Sequence, residues 1–206
     1  MKLHARCGPR RDVDIWLLDL AEAADPSVLS EAERTRAGRL HEPHRQRVVA
    51  SLAAVRSVLG HYLDAPPSAI AFERRCAACG GIDHGKPRVA GPHAGRLEWS
   101  IARSQDVGVL AVSERAPVGV DVERLRPVSD PARKAQQFLA LEDADAVDRA
   151  PASERAAVLL RRWTRHEAIV KAAGLGLFGG GVRPDEWWLD DLSVGPGFVA
   201  SLATAA

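Results

Sequence analysis

Apolar residues recur at two periods along this chain, and the switching between those periods predicts the order of its elements. Short apolar or alternating runs at 14–19, 97–101, 107–113, 118–123, 186–194 and 198–202 predict strands. Val48, Leu52, Val55, Leu59 and Tyr62 recur at helical spacing and predict a helix over 45–63, with Arg45 and Arg56 together beside the apolar stripe. Ser30 followed by Glu31 and Glu33 has the form of an N-cap with acids in the first turn, and a basic helical stretch follows. A further helix is predicted over 159–173, closed by Gly174 as a left-handed residue. The polar, Ala-rich segment 140–157 reads as an exposed helix whose charges form a solvated face. Residues 76–92, rich in Gly, Pro and Cys, read as a loop, and Ala116-Pro117 as a joint between two halves. Ala54-Val55 precedes Gly60 as Ala168-Ile169 precedes Gly174, an echo that suggests a duplicated αβ unit. Two such units facing each other would hold a site in the cleft between them.

With 206 residues, 46% of them hydrophobic, the chain can bury a core as one large domain or two small halves. Its 28 Lys and Arg against 27 Asp and Glu create no whole-chain field for nucleic acid or an anionic membrane, so any basic site must be local. A nucleic-acid partner is further disfavoured because no aromatic-rich basic face is present. No segment approaches the roughly 20 apolar residues of a membrane span, and no signal-peptide pattern opens the chain, so a cytoplasmic protein with no membrane partner is expected. Three cysteines argue against a disulfide framework. Cys76 and Cys79 form C-x-x-C, with His84 close behind and Cys7 far upstream. A zinc site there lacks the second closely spaced ligand pair and would need the fold to bring Cys7 over, so reduced thiols in a turn are the expectation.

Candidate chemistry begins at Val118-Gly119-Val120-Asp121-Val122-Glu123, where strand alternation puts Gly119, Asp121 and Glu123 on one face and the valines on the other. Side chains two apart on a strand lie about 7 Å apart, a separation one cation can bridge, and Gly119 would let a ligand approach the backbone. A half-buried strand with solvated acids fits the same hexapeptide, so a second element has to decide. In the predicted helix, Trp163, Glu167 and Lys171 follow at i, i+4 and i+8 and share one face. Alone this is a surface ion pair. Joined to the hexapeptide it supplies three carboxylates for a hard cation and a lysine for phosphate, the needs of a magnesium-diphosphate site.

The hexapeptide and the run from Trp163 through Leu177, about forty residues apart, resemble the two signature motifs of surfactin-type (Sfp-type) 4′-phosphopantetheinyl transferases. Residues 30–47 resemble that family's basic entry to coenzyme A, Gly85-Lys86-Pro87 its G-K-P turn, and residues 99–104 its F-N-x-S-H-S strand. Residues 196–202 resemble its closing strand. The resemblance implies an α+β fold: a pseudo-twofold pair of similar αβ subdomains with the active site in the cleft between them. Residues 1–116 would form the coenzyme A side, and 117–206 the half with the metal ligands and the carrier-protein docking patch. It implies Asp121, Glu123 and Glu167 as Mg2+ ligands and Lys171 as a contact to phosphates or the acceptor hydroxyl. Lys86, Ser104 and Arg103 would line the coenzyme A site, and Arg36, Arg39, Arg45, Arg47 and Arg56 are candidates for its 3′-phosphate. The implied reaction is attack of a serine of an acyl, polyketide or peptidyl carrier protein on coenzyme A, releasing 3′,5′-ADP, with Glu167 or a metal-held water as base. A monomer is expected.

Two positions depart from the pattern. Arg103 stands for the family's histidine in Ser100-Ile101-Ala102-Arg103-Ser104, and His166 for the first lysine of W-x-x-K-E. Arg103 can bind phosphate but cannot act as a base, whereas His166 could be a catalytic base or a histidine packed among Ile169, Val170 and Ala173. A working transferase and a diverged relative, which binds a carrier or performs other chemistry on carrier-bound substrates, are the two readings this leaves.

Overall fold

The computed structural model describes residues 2–4, 12–74, 80–82, 85–175 and 184–206. Two strands open the chain, β1 (Lys2–His4) and β2 (Val13–Asp19), followed by helices α1 (Glu31–Gly38) and α2 (His44–Leu63). The short strands β3 (Phe72–Arg74) and β4 (Pro87–Val89) lead to β5 (Glu98–Ser104), β6 (Val107–Ser113) and β7 (Val118–Arg124). Helices α3 (Pro131–Phe138), α4 (Leu141–Arg149) and α5 (Arg155–Ala173) then precede β8 (Trp187–Leu192) and β9 (Phe198–Ala205).

The strands form a four-stranded sheet in the order β1-β2-β6-β5, a two-stranded ribbon β3-β4, and a three-stranded sheet β7-β9-β8, all antiparallel. Period-two alternation divides the residues of each strand between two cores. Leu110 and Val112 of β6 face α2 with Val55, Leu59 and Leu63, whereas Val109 and Ala111 face the second sheet with Val118, Val120 and Val122. The layers are therefore α2, first sheet, second sheet and α5. The sheets meet where Ser100 Oγ accepts from Val120 N at 3.1 Å and Ser104 Oγ accepts from Arg124 N at 3.0 Å. Both bonds advance in the same sense, so β5 and β7 run side by side in one direction.

Local signals account for most boundaries. Ser30 caps α1 with a reciprocal bond to Glu33, and Gly174 closes α5 at φ 71°. The exposed helix expected over 140–157 is instead α4 and the start of α5, because Pro151 follows an extended Ala150 and interrupts the helix. Its face is not wholly solvated: Ala144 and Val147 pack with Ala135 and Leu159. Helix α3 was not anticipated, although Asp130 caps it and Pro131 opens it. The loop expected over 76–92 contains β4, paired with β3. Cys7, Cys76, Cys79 and His84, the residues weighed for zinc, lie outside the described residues. The Gly60 and Gly174 echo is not an equivalence, since Gly60 sits inside α2 while Gly174 terminates a helix. Among the described residues no helix is long and apolar enough to cross a membrane.

Gly119 has a different role from the one its sequence suggested. A Cβ at this position would stand 2.0 Å from the Ala168 carbonyl oxygen and 2.4 Å from the Ala172 nitrogen, so a helix, not a ligand, approaches this backbone. Gly119→Ala should destabilise the fold by about 3 kcal/mol or more, since backbone cannot move aside as a side chain can. Gly38→Ala, at an α1 position with nothing within 4 Å of the added Cβ, should be neutral or slightly stabilising. Urea denaturation of both variants checks the contrast.

Candidate functional site

Two groups of charged side chains stand out. The first lines a cavity of about 870 Å³ enclosed by α1, α2, the turn at 67–69, β3 and β5. Phe72, Trp99 and Ile101 form part of its wall, and Arg36, Arg74 and Arg103 bring cations to it. Burial, and then repulsion from Arg36, pull the Arg74 guanidinium below the ordinary arginine pKa, and burial and then Arg74 do the same to Arg103. Three like charges gathered this way call for an anion of more than one charge. The acids of the wall do not meet the demand: Glu33 is bound to Arg56, and Glu73 lies on an exposed position. Trp99 Nε1 is buried without a partner among the described residues.

Arg56 belongs to the wall itself. It is 3% exposed, pairs with Glu33 at 2.8 Å, donates to the carbonyls of Pro67 and Ile70, and lies 5.0 Å over the Phe72 ring. Its Nε and Nη1 donors are spent on tying α1 and α2 to the segment leading into β3, which makes this arginine a strut. Arg45 pairs with Glu42, and Arg47 with Asp106, each at 2.7 Å. Arg39 lines a separate shallow hollow with Glu31 and Arg36. Lys86 is directed to Glu98 Oε2 and the Val118 carbonyl, each at 3.1 Å, and Ser104 to the β5–β7 seam. Of the residues expected at coenzyme A, Arg36, Arg56 and Arg103 thus reach the cavity wall. Arg74 and Ser51 were missed: three-residue β3 is too short for a periodic signal, and a serine inside an apolar helix reads as filler.

The second group lies where α5 crosses β7. Lys171 Nζ donates to Asp121 Oδ1 at 2.6 Å. Asp121 is buried at 7% exposure, not a solvated acid, because the closeness of α5 at Gly119 covers this strand face. Burial raises the Asp121 pKa against the pull of Lys171. Burial and then repulsion from Asp121 raise those of Glu123 and Glu167. The three carboxylates therefore share one electrostatic environment. Asp121 Oδ2 and Glu167 Oε1 are buried with no hydrogen-bond partner among the described residues, and such orphaned acceptors are what a bound cation satisfies. Among the described residues no three His, Cys, Asp or Glu side chains are already gathered into a metal-holding group. His166 turns its ring to Trp163, with centroids 6.2 Å apart, and Trp163 meets Phe138 edge-on. Burial lowers the His166 pKa, and Asp143 of α4 opposes the shift.

A family model of the 4′-phosphopantetheinyl transferase superfamily matches residues 117–203, the stretch that carries β7, α5, β8 and β9. The 4′-phosphopantetheinyl transferase HetI of Nostoc sp. (strain PCC 7120) is 30% identical over 173 residues, 81% of this chain and 70% of that protein. A Synechocystis sp. protein, slr0495, provisionally designated a 4′-phosphopantetheinyl transferase, is 27% identical over 84% of this chain and 70% of its own length. The chain belongs to the 4′-phosphopantetheinyl transferase superfamily. It is an enzyme of the class that transfers the phosphopantetheine group of coenzyme A to carrier proteins.

The arginines of the cavity should separate by role. Arg56→Ala removes a buried side chain and leaves the half-buried Glu33 and the Pro67 and Ile70 carbonyls without it, and should cost about 3 kcal/mol of stability. Arg36→Ala should change stability by less than about 0.5 kcal/mol, because Arg36 has no ion-pair partner among the described residues. Chemical denaturation of the two variants measures the difference.

Proposed function

We propose that this chain is a surfactin-type (Sfp-type), magnesium-dependent transferase that loads the phosphopantetheine arm onto a serine of an acyl, polyketide or peptidyl carrier protein. The observation that carries this reading is the crossing of α5 over β7, where Lys171 pairs with Asp121, the charges of Asp121, Glu123 and Glu167 repel one another, and two buried carboxylate oxygens are unsatisfied. In this reading residues 1–116 form the coenzyme A half and 117–206 the metal and docking half, related by a pseudo-twofold, with the active site in the cleft between them. The parallel course of β5 and β7 supports it, since Arg103 and Glu123 then end at the same edge of the two sheets.

Asp121, Glu123 and Glu167 would hold Mg2+. A hard cation among carboxylates suits this donor set and, when bound, offsets the charge of the diphosphate. Lys171 contributes a fixed cation for the phosphates or the acceptor hydroxyl. Arg36 and Arg103 take the other charged end of coenzyme A, the 3′-phosphate, because the diphosphate is assigned to the carboxylate side. The carrier serine oxygen then forms a bond to the phosphorus next to pantetheine, and the bond from that phosphorus to 3′,5′-ADP breaks. The serine proton goes to Glu167 as general base. His166, pointed at Trp163, supports the packed reading of this residue more than the catalytic one.

Incubation with coenzyme A, Mg2+ and apo carriers from fatty-acid, polyketide and peptide synthesis, read by intact mass, should show the mass gain of one phosphopantetheine on at least one carrier. No gain on any carrier would refute the reading. Asp121→Asn should keep the fold and lower turnover by at least about 100-fold, the usual scale for a lost electrostatic partner. Arg103→Ala should weaken coenzyme A binding by about 1.5–3 kcal/mol, read by calorimetric titration.

A further inference from the structure

Arg103 is a solvent-reaching side chain set beside another cation. It projects from the last turn-ward end of β5 into the cavity, toward α2, and the Arg74 charge beside it repels it. An untethered arginine there would be pushed away from Arg74. Among the described residues one hydrogen bond holds it, from Nη1 to Ser51 Oγ at 2.7 Å.

Ser51 is built as an acceptor for this bond. It lies within α2, is 1% exposed, and donates its own hydroxyl proton to the Val48 carbonyl at 3.1 Å. A serine hydroxyl has one proton and two lone pairs, so spending the proton on the preceding helical turn leaves only lone pairs facing Arg103. The polarity of the bond is thereby set before any ligand arrives. With Nη1 occupied, the Nε–Nη2 edge of the guanidinium has no partner among the described residues, and it is the edge suited to bidentate contact with a phosphate.

We propose that Ser51 is a positioning residue: its buried hydroxyl holds the Arg103 guanidinium against Arg74 so that the free edge meets the 3′-phosphate of coenzyme A. The proposal rests on the coenzyme A reading of the cavity. It makes Ser51 a determinant of discrimination between coenzyme A and dephospho-coenzyme A, although the serine touches neither.

Calorimetric titration of the full chain with coenzyme A and with dephospho-coenzyme A tests it, using wild type, Ser51→Ala, Arg103→Ala and the double variant. Ser51→Ala should weaken coenzyme A by about tenfold and dephospho-coenzyme A by less than about twofold, on the scale of one charge-assisted hydrogen bond. In the Arg103→Ala background the same substitution should have no further effect, a loss of coupling that a purely structural serine would not produce. Alanine is a better helix former than serine, so Ser51→Ala should leave α2 intact, and Ser51→Cys, which keeps the side-chain volume but offers only a weak acceptor, should give the same pattern if the alanine variant is poorly folded. Unchanged coenzyme A affinity, equal weakening of both ligands, or an undiminished effect without Arg103 each overturns the role of Ser51. Failure of the wild type to bind coenzyme A removes the cavity reading and this inference with it, whereas a loss confined to Arg103→Ala removes the inference alone.

Discussion

Contact between backbone and backbone at Gly119 is the constraint on which the second half of the molecule depends. Helix α5 comes so near β7 that the Ala168 carbonyl occupies the space a Cβ would need. The alanines of α5 that face the sheet, Ala168 and Ala172, make the same approach possible from the other side. Only at this distance can a lysine one turn beyond Glu167 meet the carboxylate of Asp121 two residues along the strand. The same closeness excludes water from Asp121, and that exclusion leaves carboxylates mutually repelling and two of their oxygens without partners. A fold that strains its charges in this way pre-organises them for a ligand of opposite sign.

The first half solves a different problem, holding cations open instead of acids. One arginine is spent to build the wall: Arg56, with Glu33, closes α1 against α2 and the segment leading to β3. That strut keeps the cavity from collapsing while Arg36, Arg74 and Arg103 face into it. A near-zero net charge therefore conceals two poles, basic around the cavity and acidic at the α5–β7 crossing, within one chain. That separation sets a site for anionic groups apart from a site for a cation.

The seam between the poles is made of serines. Ser100 and Ser104 point to the second sheet, where their hydroxyls accept from the β7 backbone, while Arg103 between them points to the cavity. Alternation along one strand thus assigns joining and ligand-facing duties to adjacent residues. Helices and strands carry these side chains, Arg74 on the short β3 and the others on longer elements, so neither group of charges depends on a loop for its position.

Much of this was legible in the residues alone. Periodicity located β2, β5 to β7, α2, α5 and the closing strands, because each has enough residues to display its period and a buried face that enforces it. Ser30 and Gly174 marked helix ends because capping is a local interaction. Motif spacing brought Asp121, Glu123, Glu167 and Lys171 together as candidates. Tertiary structure alone decided the rest, for reasons of distance along the chain. Arg56 and Arg36 look alike in sequence, and only the meeting of α1, α2 and β3 makes the first a strut and leaves the second facing the cavity. Arg74 gains a role from its proximity to Arg36 and Arg103, and Ser51 from a hydrogen bond to a residue 52 positions away. Gly119 is the clearest division between the two: its lack of a side chain was visible at once, but whether a ligand or a helix used that space depended on packing between elements that local sequence does not encode.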